Sequence, residues 1–244
     1  MEKTLSRELS TANKIIQKAQ QERRQLLEPE AKELIKIFGI KTTKNIIAFS
    51  VSDAVQAADT IGYPVAMKIV SPDIIHKTDA GGVRLMIRDD EGVRTAYTGI
   101  IENVKKNIPE ARIVGTLVSE MAEPSTEVII GGLRDPQFGP AVMFGIGGIF
   151  VEIFKDVSFR IAPVEKDEAL DMIQDIKGYK LLEGYRGTEV LDVPALVKTI
   201  SHVSTIMTSI ECIKEIDLNP IFVYPKGIMA VDARIILNHA LYRS

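Results

Sequence analysis

The sequence predicts an α+β fold in two lobes, on three observations. Helix-periodic and strand-like runs alternate through the first part of the chain. Strand-like runs split by Gly and Pro follow, as in an antiparallel meander, and a long amphipathic helix then precedes two closing strands. With 244 residues, 45% of them hydrophobic, the chain can bury a core for one large domain or two intimate subdomains. The expected organisation is a helical extension over 1–27, a small lobe over 28–109 and a larger lobe over 110–244.

Each element has its own signal. Leu5, Leu9, Ala12, Ile16 and Ala19 recur at helical spacing in a stretch free of Gly and Pro. That helix reads either as one lying solvated on the domain body or as a contact for a partner subunit. Pro29 and Gly39 frame a second helix. A short strand, Ile46–Phe49, precedes a helix that Ser52 caps and Gly62 ends. Val65, Met67 and Ile69 alternate with Ala66, Lys68 and Val70 in a largely buried strand, and a loop carrying His76 and Gly81-Gly82 leads to the next strand. Glu91–Lys106 is a helix closed by Pro109. ARIVGTLVSEMA, STEVIIGGLRD and GPAVMFGIGGIFVEIF form the meander, with turns at Gly131-Gly132 and Asp135-Pro136. Asp167–Lys177 is a short helix, Gly178–Gly187 a loop and Val193–Ile210 an amphipathic helix. The strands Cys212–Val223 and Ile228–Val231 close the fold around the turn Tyr224–Gly227.

Composition narrows the function classes. A net charge of -3, no Trp and 6% aromatic residues give neither a basic field nor stacking platforms, so nucleic acid is not an expected partner. The single cysteine, Cys212, excludes an internal disulfide and reads as a small buried hydrophobe. No apolar run reaches the length of a membrane span and the N-terminus lacks a signal-peptide core, so a soluble, cytoplasmic protein is expected.

Several groups are candidates for chemistry. Lys68 sits in an apolar strand and needs an anionic partner unless it snorkels to solvent. Gly81 and Gly82 allow close backbone approach to a ligand. With His76 between them and Lys68, phosphate chemistry is suggested; His76 is then either an ordinary loop residue or a nucleophile able to carry a phosphoryl group. His202 and His239 read as surface residues. Glu120 and Glu127 flank Met121–Thr126, where acids ending one strand and starting the next can face one crevice and accept bonds from an amine or ribose hydroxyls. Gly145–Gly148 is either an amide cradle for phosphate or a turn. Glu215, Asp217 and Asn219 alternate and so share one strand face, and the returning chain brings Asp232 near it. Oxygens of Asn219 and Asp232, completed by phosphate and water, suit magnesium; a solvated polar face fits the pattern equally well.

In their order along the chain, AMKIVSPDIIHKTDAGGV, SEMAEPSTEVIIGGLRDPQFGPAVMFGIGG, FKDVSFRIAP, EIDLNPIFV and VDARI resemble an ATP-grasp domain. More narrowly they resemble the β subunit of ADP-forming acetate–CoA ligases, relatives of succinyl-CoA synthetase, over about Leu27 to Arg234. The resemblance implies two α+β subdomains gripping ATP. It implies that Lys68 and the glycine loop of Gly81 and Gly82 bind phosphate, Glu120 and Met121 meet adenine, and Glu127 binds ribose. It further implies that Arg160 contacts phosphate, Asn219 and Asp232 hold Mg2+, and Asp217 stands where the relatives have an acid facing phosphohistidine.

The IIHKTD signature departs from succinyl-CoA synthetase and implies a second phosphohistidine, at His76. The implied relay passes a phosphoryl group from a histidine of a separate CoA-binding α subunit to His76 and on to ADP, yielding ATP. The expected assembly is α2β2, with the N-terminal helix as a candidate contact. Two other readings keep the fold: a carboxylate–amine ligase, which needs no histidine, and a catalytically silent nucleotide-binding regulatory module.

Overall fold

The computed structural model of the protein describes residues 2–148, 155–184, 187 and 189–238. The chain forms two compact units, one of residues 43–123 and one of residues 1–42 with 124–244. The units therefore do not divide at 27 and 109. The strand after residue 109 pairs back into the first sheet, and the N-terminal helices share the core of the larger unit.

In the smaller unit a four-stranded antiparallel sheet has the order β1 (Asn45–Ala48), β4 (Gly115–Glu120), β2 (Val65–Val70), β3 (Val83–Ile87). Helices α3 (Val51–Ile61) and α4 (Asp90–Asn107) bury Ala54, Ala58, Val93 and Ile100 against Val65, Met67 and Ile69 of β2. The cap of α3 is Ser50, whose hydroxyl accepts from the Asp53 amide at 3.1 Å; Ser52, expected to cap, lies inside the helix. Asp89 caps α4 through the Gly92 amide at 2.8 Å.

In the larger unit the sheet runs β10 (Arg234–Leu237), β8 (Ile213–Val223), β5 (Thr126–Asp135), β6 (Gly139–Ile146), β7 (Val157–Ile161), with β9 (Ile228–Ala230) also on β8. Helix α6 (Val193–Ser209) packs on one face through Leu196, Ile200, Val203 and Met207, beside α5 (Lys166–Gln174). Asp192 caps α6 through the Ala195 amide at 3.0 Å and also accepts from the Gly227 amide at 2.6 Å, tying the helix start to the β8–β9 turn.

Gly131 and Gly132 are not a turn; they lie within β5, and a Cβ on Gly132 would stand 2.7 Å from Met207 Cγ, so glycine there lets α6 approach the sheet. The strand β10 was not anticipated. The expected helix before Leu27 is α1 (Glu2–Gln21), with Ala12, Ile16 and Ala19 buried in the larger unit's core. It is followed by α2 (Glu28–Ile37), where Lys32 and Glu28 form a buried ion pair at 3.0 Å. Cys212 is buried. Among the described residues, no helix is long and apolar enough to cross a membrane. His239 lies outside the described residues.

Candidate functional site

The smaller unit holds Lys68, His76, Gly81, Gly82, Glu120 and Met121. All six residues of β2 are buried, and Lys68 is 9% exposed. Its neighbours on the sheet are apolar: Ala66 and Val70 share its face, and Leu117 and Val83 are its register partners. An ammonium so enclosed is costly unless it is matched by negative charge.

After β2 the chain folds into a tight loop whose base is fixed. Gly81 and Gly82 donate their amides to Thr78 O (2.9 Å) and Lys77 O (2.8 Å), and Ile69 donates to Gly82 O at 2.7 Å. Side-chain amides of Asn103 and Asn107 on α4 donate to Gly81 O (3.4 Å) and Ala80 O (3.2 Å). The Gly81 and Gly82 amides are therefore engaged within the loop. The double glycine also permits close packing: a Cβ on Gly82 would lie 2.5 Å from Ile69 Cγ2. Within this loop His76 is exposed, next to Ile75 at 61% exposure.

Glu120 ends β4, and its carboxylate accepts from the Lys44 amide at 2.8 Å. The Met121 amide donates to Pro64 O at 3.4 Å. Glu120 and Glu127 are not the two arms of one hairpin, because their strands belong to different sheets.

The larger unit holds Glu127, Arg160, Asp217, Asn219 and Asp232. On β8, Ile213, Ile216, Leu218, Ile221 and Val223 are buried toward the core, while Glu215 and Asp217 are half-buried and Asn219 is exposed on the other face. Strand β9 pairs Ile221 with Ala230, and β10 pairs Asp217 with Arg234 and Ile216 with Ile235. Both pairings keep one register, which places Asp232 opposite Asn219 in the interval between the two short strands. Cross-strand partners share a face, so Glu215, Asp217, Asn219, Asp232 and Arg234 form one polar cluster. Glu127, paired with Phe222, lies on the same face further along and is exposed. The Gly147 amide donates to Glu127 O at 2.7 Å, so Gly145–Gly148 ends β6 by bonding to β5.

Arg160 is elsewhere. It pairs with Val142, which pairs with Gly132, which pairs with Ile216, and this is the helix-covered face. Its guanidinium is bound to Asp175 after α5 at 2.5 Å. The phosphate contact expected of Arg160 does not fit this placement. The basic side chain that does share the acidic face is Arg234, whose alternation with Asp232 in VDAR was the available signal. His202, expected at the surface, is half-buried, and a Cβ on Gly39 would stand 3.1 Å from its ring. Burial first, then Lys198, lowers its pKa.

Burial raises the pKa of Asp217, with Arg234 opposing and Glu215 and Asp232 reinforcing the rise. The Asp232 carboxylate is oriented by accepting the Ala233 amide at 2.8 Å. Among the described residues no group of three or more His, Cys, Asp or Glu is arranged to hold a metal ion. Two adjacent oxygen donors without a full protein cage fit magnesium, which keeps water and phosphate oxygens in its shell.

Residues 17–237 match the family described as ATP-grasp domain. The chain is 50% identical over 229 residues to the acetate–CoA ligase [ADP-forming] I subunit beta of Pyrococcus furiosus, covering 94% of this chain and 99% of the relative. It superposes with TM-score 0.91 and 51% identity on an acetyl-coenzyme A synthetase 1 chain of Candidatus Korarchaeum cryptofilum solved with coenzyme A, Ca-AMPCP and HgCl+, over 93% of this chain and all (100%) of that one. A second structure of that synthetase, with coenzyme A and Mg-AMPPCP and its phosphohistidine segment pointing towards the nucleotide-binding site, matches with TM-score 0.81 and 47% identity over 93% of this chain and 100% of that one.

Proposed function

Because the chain belongs to the ATP-grasp family, and within it to the β subunits of ADP-forming acetate–CoA ligases, we propose that it is the nucleotide-binding subunit of such a ligase. It moves a phosphoryl group between a histidine of a separate CoA-binding α subunit, His76 and ADP. The reaction it serves converts acyl-CoA, ADP and phosphate to acid, CoA and ATP, or runs in reverse. The observation that carries this reading is the 50% identity to a β subunit across nearly the whole of both chains. The proposed assembly is α2β2, in the cytoplasm.

In the relay the neutral ring of His76 offers a nitrogen lone pair to phosphorus; one P–N bond forms as the bond to the α-subunit histidine breaks. The group then passes to the terminal oxygen of ADP, returning His76 to its neutral form. Its exposure, on a loop with a fixed base, supports a carrier that exchanges partners while its supports stay in place. Lys68 binds phosphate as a cation, Glu120 and Met121 meet the base, and Glu127 takes the ribose hydroxyls. Magnesium, when bound, would neutralise phosphate charge; Asn219 and Asp232 would hold it, and Asp217 would face the phosphohistidine.

The test is to incubate the purified chain, alone and with its α partner, with γ-labelled ATP and magnesium. Acid-labile, base-stable label that His76→Ala abolishes supports the relay. Normal labelling of His76→Ala removes His76 from it, and no labelling with or without the α partner leaves the silent nucleotide-binding module.

A further inference from the structure

The polar face of β8 poses a problem that the metal assignment leaves open. Glu215, Asp217 and Asp232 share one face with Asn219, yet the described residues form no three-acid metal group. Arg234 shares this face. It is the register partner of Asp217, and its Nη2 donates to Glu215 Oε1 at 2.6 Å and to Asp217 Oδ2 at 3.4 Å. One guanidinium therefore engages both acids of β8, beside the Asn219–Asp232 pair. Among the described residues the Arg234 Nε is buried without a hydrogen-bond partner, which costs stability.

We propose that Arg234 is a positioning residue that partitions this face. It keeps Glu215 and Asp217 off the divalent cation, so that the cation is held firmly only when nucleotide phosphates complete its shell. The inference rests on the assignment of Asn219 and Asp232 above. A metal site that fills only with its nucleotide delivers the pair together and does not trap free cation between turnovers. Without the guanidinium, Asp217, two residues from Asn219 on the same face, becomes available as an additional carboxylate donor. Lysine keeps the charge but lacks the planar fork, so it should retain the partition in part.

The test uses Mn2+ as the probe, followed by its EPR signal, on the purified chain with and without ADP. Wild type should bind Mn2+ weakly alone and more tightly with ADP. Arg234→Met should bind Mn2+ alone roughly ten-fold more tightly or better, a change expected when a charge pair is released at this distance. Arg234→Met with Asp217→Asn should return toward wild type, and Arg234→Lys should fall between. Nucleotide-free affinity unchanged in Arg234→Met overturns the proposal. Asn219→Ala and Asp232→Ala control the assignment beneath it: if neither weakens Mn2+ binding with ADP, that assignment fails whatever Arg234 does. A purely structural Arg234 would lower the unfolding midpoint without changing Mn2+ affinity, which also overturns the proposal.

Discussion

Among the described residues each unit buries one lysine, and the two are buried differently. Lys32, in the larger unit, sits one helical turn from Glu28 with an ion pair at 3.0 Å and side-chain exposures of 1% and 2%. Lys68, in the smaller unit, stands on a strand among Ala66, Val70, Leu117 and Val83. The first cation has its counterion built in at (i, i+4), as structural cations do. The second lies on a strand whose register partners are apolar, and the phosphate contact proposed for it brings a ligand's negative charge to the same cation. Burial alone does not separate structure from function.

The largest test of this contrast is Lys32→Met, which leaves Glu28 buried without its cation. It should cost about 3–5 kcal/mol in urea unfolding, with Glu28→Met added back recovering most of it. Lys68→Met should lower ADP affinity about ten- to hundred-fold by calorimetry. If ADP affinity is unchanged in Lys68→Met, the phosphate role is lost.

Packing glycines provide a smaller comparison. Gly82→Ala drives a methyl against Ile69 Cγ2, whereas Gly132→Ala meets the thioether arm of Met207. The β-branched partner is stiff and the methionine adapts. The first substitution should cost about 1–3 kcal/mol and the second distinctly less, read from urea midpoints.

The smallest effects are in pH dependence and have opposite signs. Arg112 holds the carboxyl of Asp73 below its ordinary value. Its contribution is present above the unfolded pKa and is lost as pH falls through the lower folded value. Asp217 is raised, chiefly by burial, so its contribution is complete below the unfolded pKa and is lost as pH rises through the folded one. Asp73→Asn should flatten stability on the acid side of the carboxylate range, and Asp217→Asn on the side above it, measured as urea midpoints against pH.

The two sheets were unequally legible in the sequence. Along β8 the alternation of Glu215, Asp217 and Asn219 with Ile216 and Leu218 displays its faces, and the structure keeps them. In β2 both faces are buried, so periodicity could not say which side Lys68 serves. β10 is only four residues long and carries no turn residue of its own, so it was missed. Arg160 misled because an arginine in a strand announces its charge but not its face, which only the register through Val142 and Gly132 reveals. The division between units escaped because β4 follows Pro109 in sequence but pairs with strands far earlier, a non-local choice.

The shared register of β9 and β10 along β8 makes the spacing between them a fixed length, like marks on a ruler. Side chains at Val231 and Ala233 can change, but adding or removing a residue here would leave both short strands able to pair while carrying Asp232 past Asn219. At that point the chain is protected by counting, and a one-residue change would spare the sheet while parting the proposed magnesium pair.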